Sequence, residues 1–366
     1  MPPSKQATPV HFYPGPSKLY PQIGEYLQTA LAQGFFSFNH RSPEFGQCVQ
    51  ETVHHLKNKL SVPGDYEVFF VSSATECWEI IAQSLVQYRC LHVFNGAFGE
   101  KWWKNTRQLK AAPELIQGFT FAPEACPELP ILKAKMPPHT ELIALTHNET
   151  SNGTALPEGF LWELRQAFPE VLLALDATSS MAGVALPWAA GDLWFASVQK
   201  CFGLPAGLAL MLASPRAMAR AEAIGEKRHY NSLLALAAQA RAFQTTHTPN
   251  MLGIYLLGQV MQAVAPIAQI DSLLRQRASE GYAFFEKQDF VQPLIQNPEV
   301  RSDTVLALRT REELLAKIKE EARNKNIILG NGYGDWKNTT FRVANFPAIT
   351  KPEFELLQDF MVNFKK

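Results

Sequence analysis

The chain has 366 residues, of which 46% are hydrophobic and 19% are charged. A chain of this length exceeds one ordinary hydrophobic core, so we expect two domains. Lys plus Arg and Asp plus Glu both total 34, which leaves a formal net charge of zero. This balance gives no electrostatic reason to expect binding to nucleic acid or to an anionic membrane surface.

The cysteines favour a reduced, cytoplasmic protein. They are odd in number and include no Cys-x-x-Cys pair, which argues against disulfides and a zinc site; they are Cys48, Cys77, Cys90, Cys126 and Cys201. The first residues lack the apolar core of a signal peptide. The longest apolar run, about 203–213, contains Pro205 and is too short to span a bilayer. We therefore expect cytoplasmic localisation and no metal.

The predicted elements begin after an N-terminal arm, 11–16, that is interrupted by prolines and is not expected to fold alone. From about 67 to 212, short apolar runs alternate with helical patterns. Near-continuous apolar runs are typical of strands covered on both faces; they lie at 67–71, 91–94, 142–146, 171–176, 193–197 and 207–212. Helical spacing lies at 76–88, 102–110 and 158–168. This alternation predicts an α/β fold with a mostly parallel sheet sandwiched by helices.

The pattern changes after about residue 265. Charged helical stretches at 271–288 and 311–324 flank predicted strands at 304–308 and 340–343, which indicates a smaller α+β C-terminal domain. We expect a large domain over 17–264. The small domain would combine 265–366 with the N-terminal arm, 1–16.

Polar residues that follow predicted strands form a candidate site. Asp176 ends one strand, and Lys200 follows the next strand along the chain. In α/β sheets such strand ends gather at one edge. A lysine that bonds to a pyridine aldehyde cofactor and a carboxylate against the ring nitrogen would suit this arrangement. Taken singly, such a lysine is usually a surface residue and such an aspartate a cap or turn former.

Five segments in the same order resemble the class V (fold type I) aminotransferases, and within them the phosphoserine aminotransferase group. The segment 38–45 is similar to the family's Ser-His-Arg-Ser-x-Glu-Phe stretch. The others are a Gly-Pro turn, an Asn-Glu-Thr motif, the Gln-Lys lysine signature and a C-terminal arginine strand, at 11–16, 148–150, 197–200 and 341–343. The resemblance implies pyridoxal 5′-phosphate as cofactor and a fold type I architecture.

The resemblance implies roles for five residues around the cofactor ring. Lys200 would hold the cofactor covalently and then move the proton, while Asp176 would pair with the ring nitrogen. Thr178 would support Asp176. Thr150 would bond near the ring oxygen or phosphate, and Phe98 would stack on the ring where the family usually has tryptophan.

The phosphate side is implied by the same resemblance. Ala74 and Thr75 fall where the family's glycine-rich turn meets a helix, although this chain has serines in that turn. Gln199 would add a donor. His247 and Thr248 match a segment that reaches the phosphate from the neighbouring subunit, which implies a homodimer with shared sites.

Arginines would bind the amino-acid and 2-oxo-acid substrates. Arg342 lies where the family grips the α-carboxylate, and His40 and Arg41 would meet the distal anionic group across the dimer. The alternative for Arg342 is a half-buried strand arginine paired with an acid. The family often has a His-Arg pair shortly before this arginine, whereas segment 329–337 offers only Lys337 as a basic residue. Its three glycines, 330, 332 and 334, lack a strand–turn–helix context and indicate a surface loop.

The resulting expectation is transamination between L-glutamate and 3-phosphohydroxypyruvate in serine biosynthesis. The main alternative is a class V transaminase of the alanine–glyoxylate or serine–pyruvate type, with small unphosphorylated substrates. Cysteine desulfuration would need a cysteine on a late loop, and the last one here is Cys201. A non-catalytic binding protein would have lost residues that this chain retains.

Overall fold

The computed structural model describes residues 9–365. Within that range the strands are β1 (Val10–Phe12), β2 (Glu67–Val71), β3 (Cys90–Phe94), β4 (Ile116–Thr120), β5 (Leu142–Thr146), β6 (Asn148–Glu149), β7 (Thr154–Ala155), β8 (Leu172–Asp176), β9 (Leu193–Ser197), β10 (Ala209–Ala213), β11 (Val291–Pro293), β12 (Val305–Thr310), β13 (Ile327–Asn331) and β14 (Thr340–Ala344).

The helices in the same range are α1 (Ile23–Ala32), α2 (Pro43–Leu60), α3 (Ala74–Leu85), α4 (Ala97–Leu109), α5 (Leu129–Lys135), α6 (Glu158–Ala167), α7 (Pro215–Ile224), α8 (Leu233–Ala240), α9 (Met251–Ala263), α10 (Ile267–Glu286), α11 (Glu312–Asn324) and α12 (Lys351–Asn363).

A seven-stranded sheet forms the centre of the larger part, in the order β2-β10-β9-β8-β5-β3-β4. The strands run parallel except β10, which is antiparallel to both β2 and β9. Side chains of one strand alternate between two apolar clusters: Leu173 and Leu175 of β8 join one, while Leu172 and Ala174 join the other. Burial on both faces explains the near-continuous apolar runs, and the expected α/β fold class is confirmed.

A five-stranded sheet in the order β1-β13-β14-β12-β11 forms a second layer. The N-terminal strand β1 runs parallel to β13, while β12 and β13 are both antiparallel to β14. Arg277 of α10 is buried beneath this sheet, where its guanidinium donates to the carbonyls of Phe346 (2.9 Å) and Ile349. These two carbonyl acceptors and the Asn345 side chain, which accepts from Nε, compensate its desolvation. The domain limits at 16/17 and 264/265 stay a prediction.

Two helices begin earlier than their sequence patterns indicate. Helix α3 begins at Ala74 rather than 76, because the Ser73 side chain caps it by accepting from the Glu76 N–H. Helix α4 begins at Ala97 rather than 102, and its first turn is capped by a residue distant in sequence, as described below. Strand β4 was not expected from the sequence, since its exposed centre gives no continuous apolar run.

Among residues 9–365, no single helix is both long and apolar enough to cross a membrane. One pair of helices separated by a short break, α9 and α10, passes that test on length and composition alone, and its two members meet at 83°.

Candidate active site

The carboxyl ends of β5, β8 and β9 border a cavity of about 820 Å³. Parallel strands end at the same edge of a sheet, which brings together residues far apart in sequence. Residues 331–334 and Arg342 of the second sheet close the cavity from the other side. The cavity is lined by nine of the residues expected from the sequence: Ala74, Thr75, Phe98, Thr150, Asp176, Thr178, Gln199, Lys200 and Arg342.

Lys200 lies in the loop after β9 and is only 7% exposed. Its Nζ donates to Thr150 Oγ1 at 2.7 Å and lies 5.2 Å from the centroid of the Phe98 ring. Burial lowers the pKa of Lys200 to about 8, although the charges of Asp176 and Glu149 oppose this shift. A substantial fraction of this amine is therefore neutral, and nucleophilic, near pH 8.

The N-terminal arm holds the backbone around Lys200. Ser17 Oγ donates to the carbonyl oxygens of Gln199 and Lys200, both at 3.1 Å. Gly15 has a φ of +137°, and a Cβ there would stand 3.1 Å from Lys200 Cε. The positive φ favours glycine at this turn, and the lack of a side chain lets the arm approach Lys200 closely.

Asp176 ends β8 and is 5% exposed. Its Oδ1 accepts the Thr178 N–H at 2.9 Å. Burial raises the pKa of Asp176, while hydrogen bonds from Thr178 and the charge of Lys200 act in the opposite direction. A buried carboxylate of this kind is stabilised further by a positively charged partner.

Arg342 lies on β14 and is 5% exposed. Its Nε donates to the Asn331 carbonyl and its Nη1 to the Thr150 carbonyl, each at 2.7 Å. Within residues 9–365 it has no acidic partner at salt-bridge distance, which removes the alternative of a strand arginine paired with an acid. Since Thr150 also accepts from Lys200, one residue links the arginine to the lysine.

From the sequence, Glu149 is only the middle residue of the Asn-Glu-Thr motif, yet its side chain organises one wall of the cavity. It is 1% exposed, and its carboxylate accepts the N–H groups of Phe98 (3.1 Å), Gly99 (3.2 Å) and Ser151 (2.9 Å). It thus caps the positive end of α4 and fixes the helix that carries Phe98. A Cβ at Gly96 would lie 2.3 Å from Glu149 Cγ, so only glycine fits there.

The glycine-containing segment at 330–334 ends in a surface loop that also lines the cavity. Gly332, Tyr333 and Gly334 line the cavity, and Lys337 lines it as well. The Tyr333 ring lies 5.3 Å from the Phe98 ring between centroids. This surface loop therefore also borders the site.

Four expected residues do not line the cavity of the single chain: His40, Arg41, His247 and Thr248. Arg41 is exposed and donates to the side chains of Gln239 (3.1 Å) and Gln244 (3.3 Å). The His247 ring lies against Tyr230, with centroids 5.7 Å apart. Their roles at a shared site stay a prediction.

The donor set of the cavity fits pyridoxal phosphate. It offers a buried lysine for the aldehyde and a buried carboxylate for the ring nitrogen. The N-terminus of α3 faces the cavity, where its dipole favours a phosphate, although the Ala74 N–H already donates to Ser197 Oγ at 2.9 Å. Thr146 Oγ1, which the sequence did not single out, is buried at the cavity with no hydrogen-bond partner in the described chain. A bound group can supply that partner.

The fold and this site together define a pyridoxal-phosphate enzyme of fold type I. The Aminotransferase class-V family model matches residues 14–333, and the chain belongs to this family. It is therefore a pyridoxal-phosphate-dependent aminotransferase, and the resemblance found in the sequence is confirmed.

Three known proteins illustrate the relationship. The chain is 28% identical over 347 residues to the phosphoserine aminotransferase of Rhodococcus jostii (strain RHA1), covering 92% of this chain and 89% of that protein. The crystal structure of a phosphoserine aminotransferase from Cytophaga hutchinsonii matches with a TM-score of 0.89 and 31% identity, covering 98% and 99% of the two chains. The fold is shared with a PLP-bound phosphoserine aminotransferase from Trichomonas vaginalis, with a TM-score of 0.78 and 18% identity, covering 97% of this chain and 100% of that one.

Proposed function

We propose that the chain transfers the amino group of L-glutamate to 3-phosphohydroxypyruvate, giving 2-oxoglutarate and O-phospho-L-serine in serine biosynthesis. The names of the Rhodococcus and Cytophaga relatives support this substrate pair. The observation that carries the proposal is the charge of the cavity. Apart from Lys200 and Asp176, which would serve the cofactor, its lining includes the cations Lys101, Lys337 and Arg342 and no further carboxylate among the described residues, which suits substrates with two anionic groups.

Lys200 performs the proton transfers in this proposal. Bound pyridoxal phosphate supplies an aldehyde that bonds to amines and a protonated ring that withdraws electrons from the reacting carbon. Lys200, once free of the cofactor, removes the proton from the substrate Cα as a neutral amine and returns it as an ammonium. The depressed pKa of Lys200, about 8, allows both forms to be populated close to neutral pH.

The neighbours of Lys200 orient the reactants. Asp176 keeps the ring nitrogen protonated, and the Thr178 N–H holds that carboxylate in place. Thr150 accepts from Lys200 at 2.7 Å and so directs its amine into the cavity. Arg342 binds the substrate α-carboxylate through its planar guanidinium, which two carbonyl acceptors already orient.

We further propose that the active enzyme is a homodimer in the cytoplasm. His40 and Arg41 would contribute to the substrate site of the partner, and His247 and Thr248 to its cofactor phosphate. Their exposed or half-buried positions outside the cavity of their own chain support such sharing.

A second candidate is a class V transaminase for small unphosphorylated substrates, exchanging alanine and glyoxylate or serine and pyruvate. The presence of a single basic residue, Lys337, in segment 329–337 favours it. Steady-state kcat/KM values with L-glutamate as donor and 3-phosphohydroxypyruvate, pyruvate or glyoxylate as acceptor decide between the two. A clear preference for the phosphorylated acceptor is expected, and a preference for pyruvate or glyoxylate overturns the phosphoserine assignment.

A further inference from the structure

Two lysines that the mechanism above does not use, Lys101 and Lys337, also line the cavity. Lys101 lies on α4, three residues after Phe98, and its ammonium group donates to the Tyr333 hydroxyl. Its Nζ lies 5.1 Å from the Tyr333 ring centroid and 5.5 Å from that of Phe98. The distance to Phe98 allows cation–π attraction to that ring, while the Tyr333 contact is the hydrogen bond to its hydroxyl. The hydrogen bond to Tyr333 and the contact with Phe98 hold this solvent-exposed lysine at the cavity lining.

The charge of these two lysines is not balanced by protein acids. Among residues 9–365, neither Lys101 nor Lys337 has a carboxylate at salt-bridge distance, whereas the next lysine on the same helix, Lys104, pairs with Glu100 at 2.6 Å. Both uncompensated lysines line the cavity. An anionic group entering the cavity can therefore bind there without displacing an existing ion pair.

The separation of Lys101 from Arg342 suits a substrate with two anionic ends. The Arg342 guanidinium carbon lies 5.6 Å from the Tyr333 ring centroid, on which the Lys101 distance of 5.1 Å is also measured. The two cationic groups are thus at most 10.7 Å apart, the sum of those distances. Because an ion pair spans about 4 Å, a substrate with a short carbon chain between its anionic groups can engage both cations.

We infer that Lys101, together with the Tyr333 hydroxyl and Lys337, binds the distal phosphate or carboxylate of the substrate from within the same subunit. These residues supply the positive charge that the missing His-Arg pair would provide before Arg342. The inference rests on the proposed function, since it assumes that the substrate carries a distal anion. It makes Lys101 a specificity-determining residue of this transaminase.

The test uses the first half-reaction of the cofactor-loaded enzyme, followed by the change in cofactor absorbance with matched amino donors. O-phospho-L-serine is paired with L-serine, and L-glutamate with L-alanine, so that each pair compares a donor bearing a distal anion with one lacking it. Lys101→Gln removes the charge while keeping a donor for Tyr333. Lys101→Arg keeps the charge, and Lys104→Gln is the control on the same helix.

Lys101→Gln is expected to lower kcat/KM for the two anionic donors by about 10- to 100-fold, the effect of losing a charged hydrogen bond. The values for L-serine and L-alanine should stay within about twofold, because these donors make no contact beyond Arg342 and the reacting carbon. Lys101→Arg and Lys104→Gln should keep the wild-type preference. Lys337→Gln should change the same ratios in the same direction by a smaller factor.

Two results overturn the inference. One is an equal loss of kcat/KM for all four donors in Lys101→Gln, which would mean that Lys101 only holds the loop through Tyr333. The other is an unchanged preference for anionic donors in Lys101→Gln. Failure of the proposed function gives a different result. Wild-type enzyme would then fail to prefer O-phospho-L-serine over L-serine. If it still prefers L-glutamate over L-alanine and Lys101→Gln removes that preference, the inference stands for a carboxylate.

Discussion

The cofactor side of the cavity and the segments around Arg41 and His247 are built in opposite ways. Lys200 and Asp176 are buried at the ends of central strands and are held by contacts within one chain. Arg41 is exposed, and His247 lies against Tyr230 outside the cavity. The residues of the chemical centre are thus held by contacts within one chain, whereas substrate and phosphate binding by the segments around Arg41 and His247 would require a second copy.

The largest effect should come from Lys200→Ala. Turnover should fall by at least about four orders of magnitude, because Lys200 is the buried amine beside Asp176, whereas the other lysines that line the cavity, Lys101 and Lys337, are exposed. Steady-state assays measure the turnover, and the loss of the cofactor absorbance band reports the missing bond to Lys200. Lys104→Ala, an exposed change on α4, should leave both unaltered, and retained turnover in Lys200→Ala would contradict the account.

Asp176→Asn should have the next largest effect. The rate is expected to fall by about 10²–10³-fold, since a preorganised charge beside the cofactor ring is lost. Burial raises the pKa of Asp176, so the charge is costly to the folded protein, and the thermal unfolding midpoint should not fall appreciably. Single-turnover rates and calorimetry test the two parts. A near-normal rate would show that this carboxylate does not act on the ring.

Subunit mixing tests whether Arg41 acts in the site of a partner subunit. Lys200→Ala and Arg41→Ala proteins are unfolded, mixed and refolded together. If Arg41 acts across the interface of a two-fold dimer, random mixing creates one intact site in each hybrid and should restore about a quarter of the wild-type activity. A mixture no more active than the average of the two separate preparations would place Arg41 in its own subunit's site.

The smallest effect concerns pH. Burial lowers the pKa of Lys200 from 10.5 to about 8. The neutral amine is the reactive form, so the rate of pyridoxal-phosphate capture by the apoenzyme should rise with pH and reach half its maximum near pH 8. Because the charge of Asp176 raises this pKa, Asp176→Asn should move the midpoint to lower pH. Stopped-flow absorbance measures both, and a midpoint above pH 10 would contradict the buried-lysine interpretation.

Much of the cofactor side of the cavity could be predicted from the sequence, because the strands that carry it are buried on both faces and give continuous apolar runs. Lys200 and Asp176 follow such runs directly, and a resemblance in five segments gave them roles. Glu149 could not be assigned its capping role, since its acceptor contact with Gly99 spans 50 residues. The Lys101–Tyr333 contact spans 232 residues and joins a helix of one sheet layer to a loop of the other. Local sequence patterns do not predict contacts between residues so far apart in the chain.

The covalent attachment of the cofactor tests the central claim most directly. The holoenzyme is reduced with borohydride, digested, and the peptides are mapped by mass spectrometry. The account predicts a single pyridoxyl-labelled residue, Lys200, and its absence from the Lys200→Ala protein. A label on another lysine, or no label in cofactor-loaded protein, would contradict it.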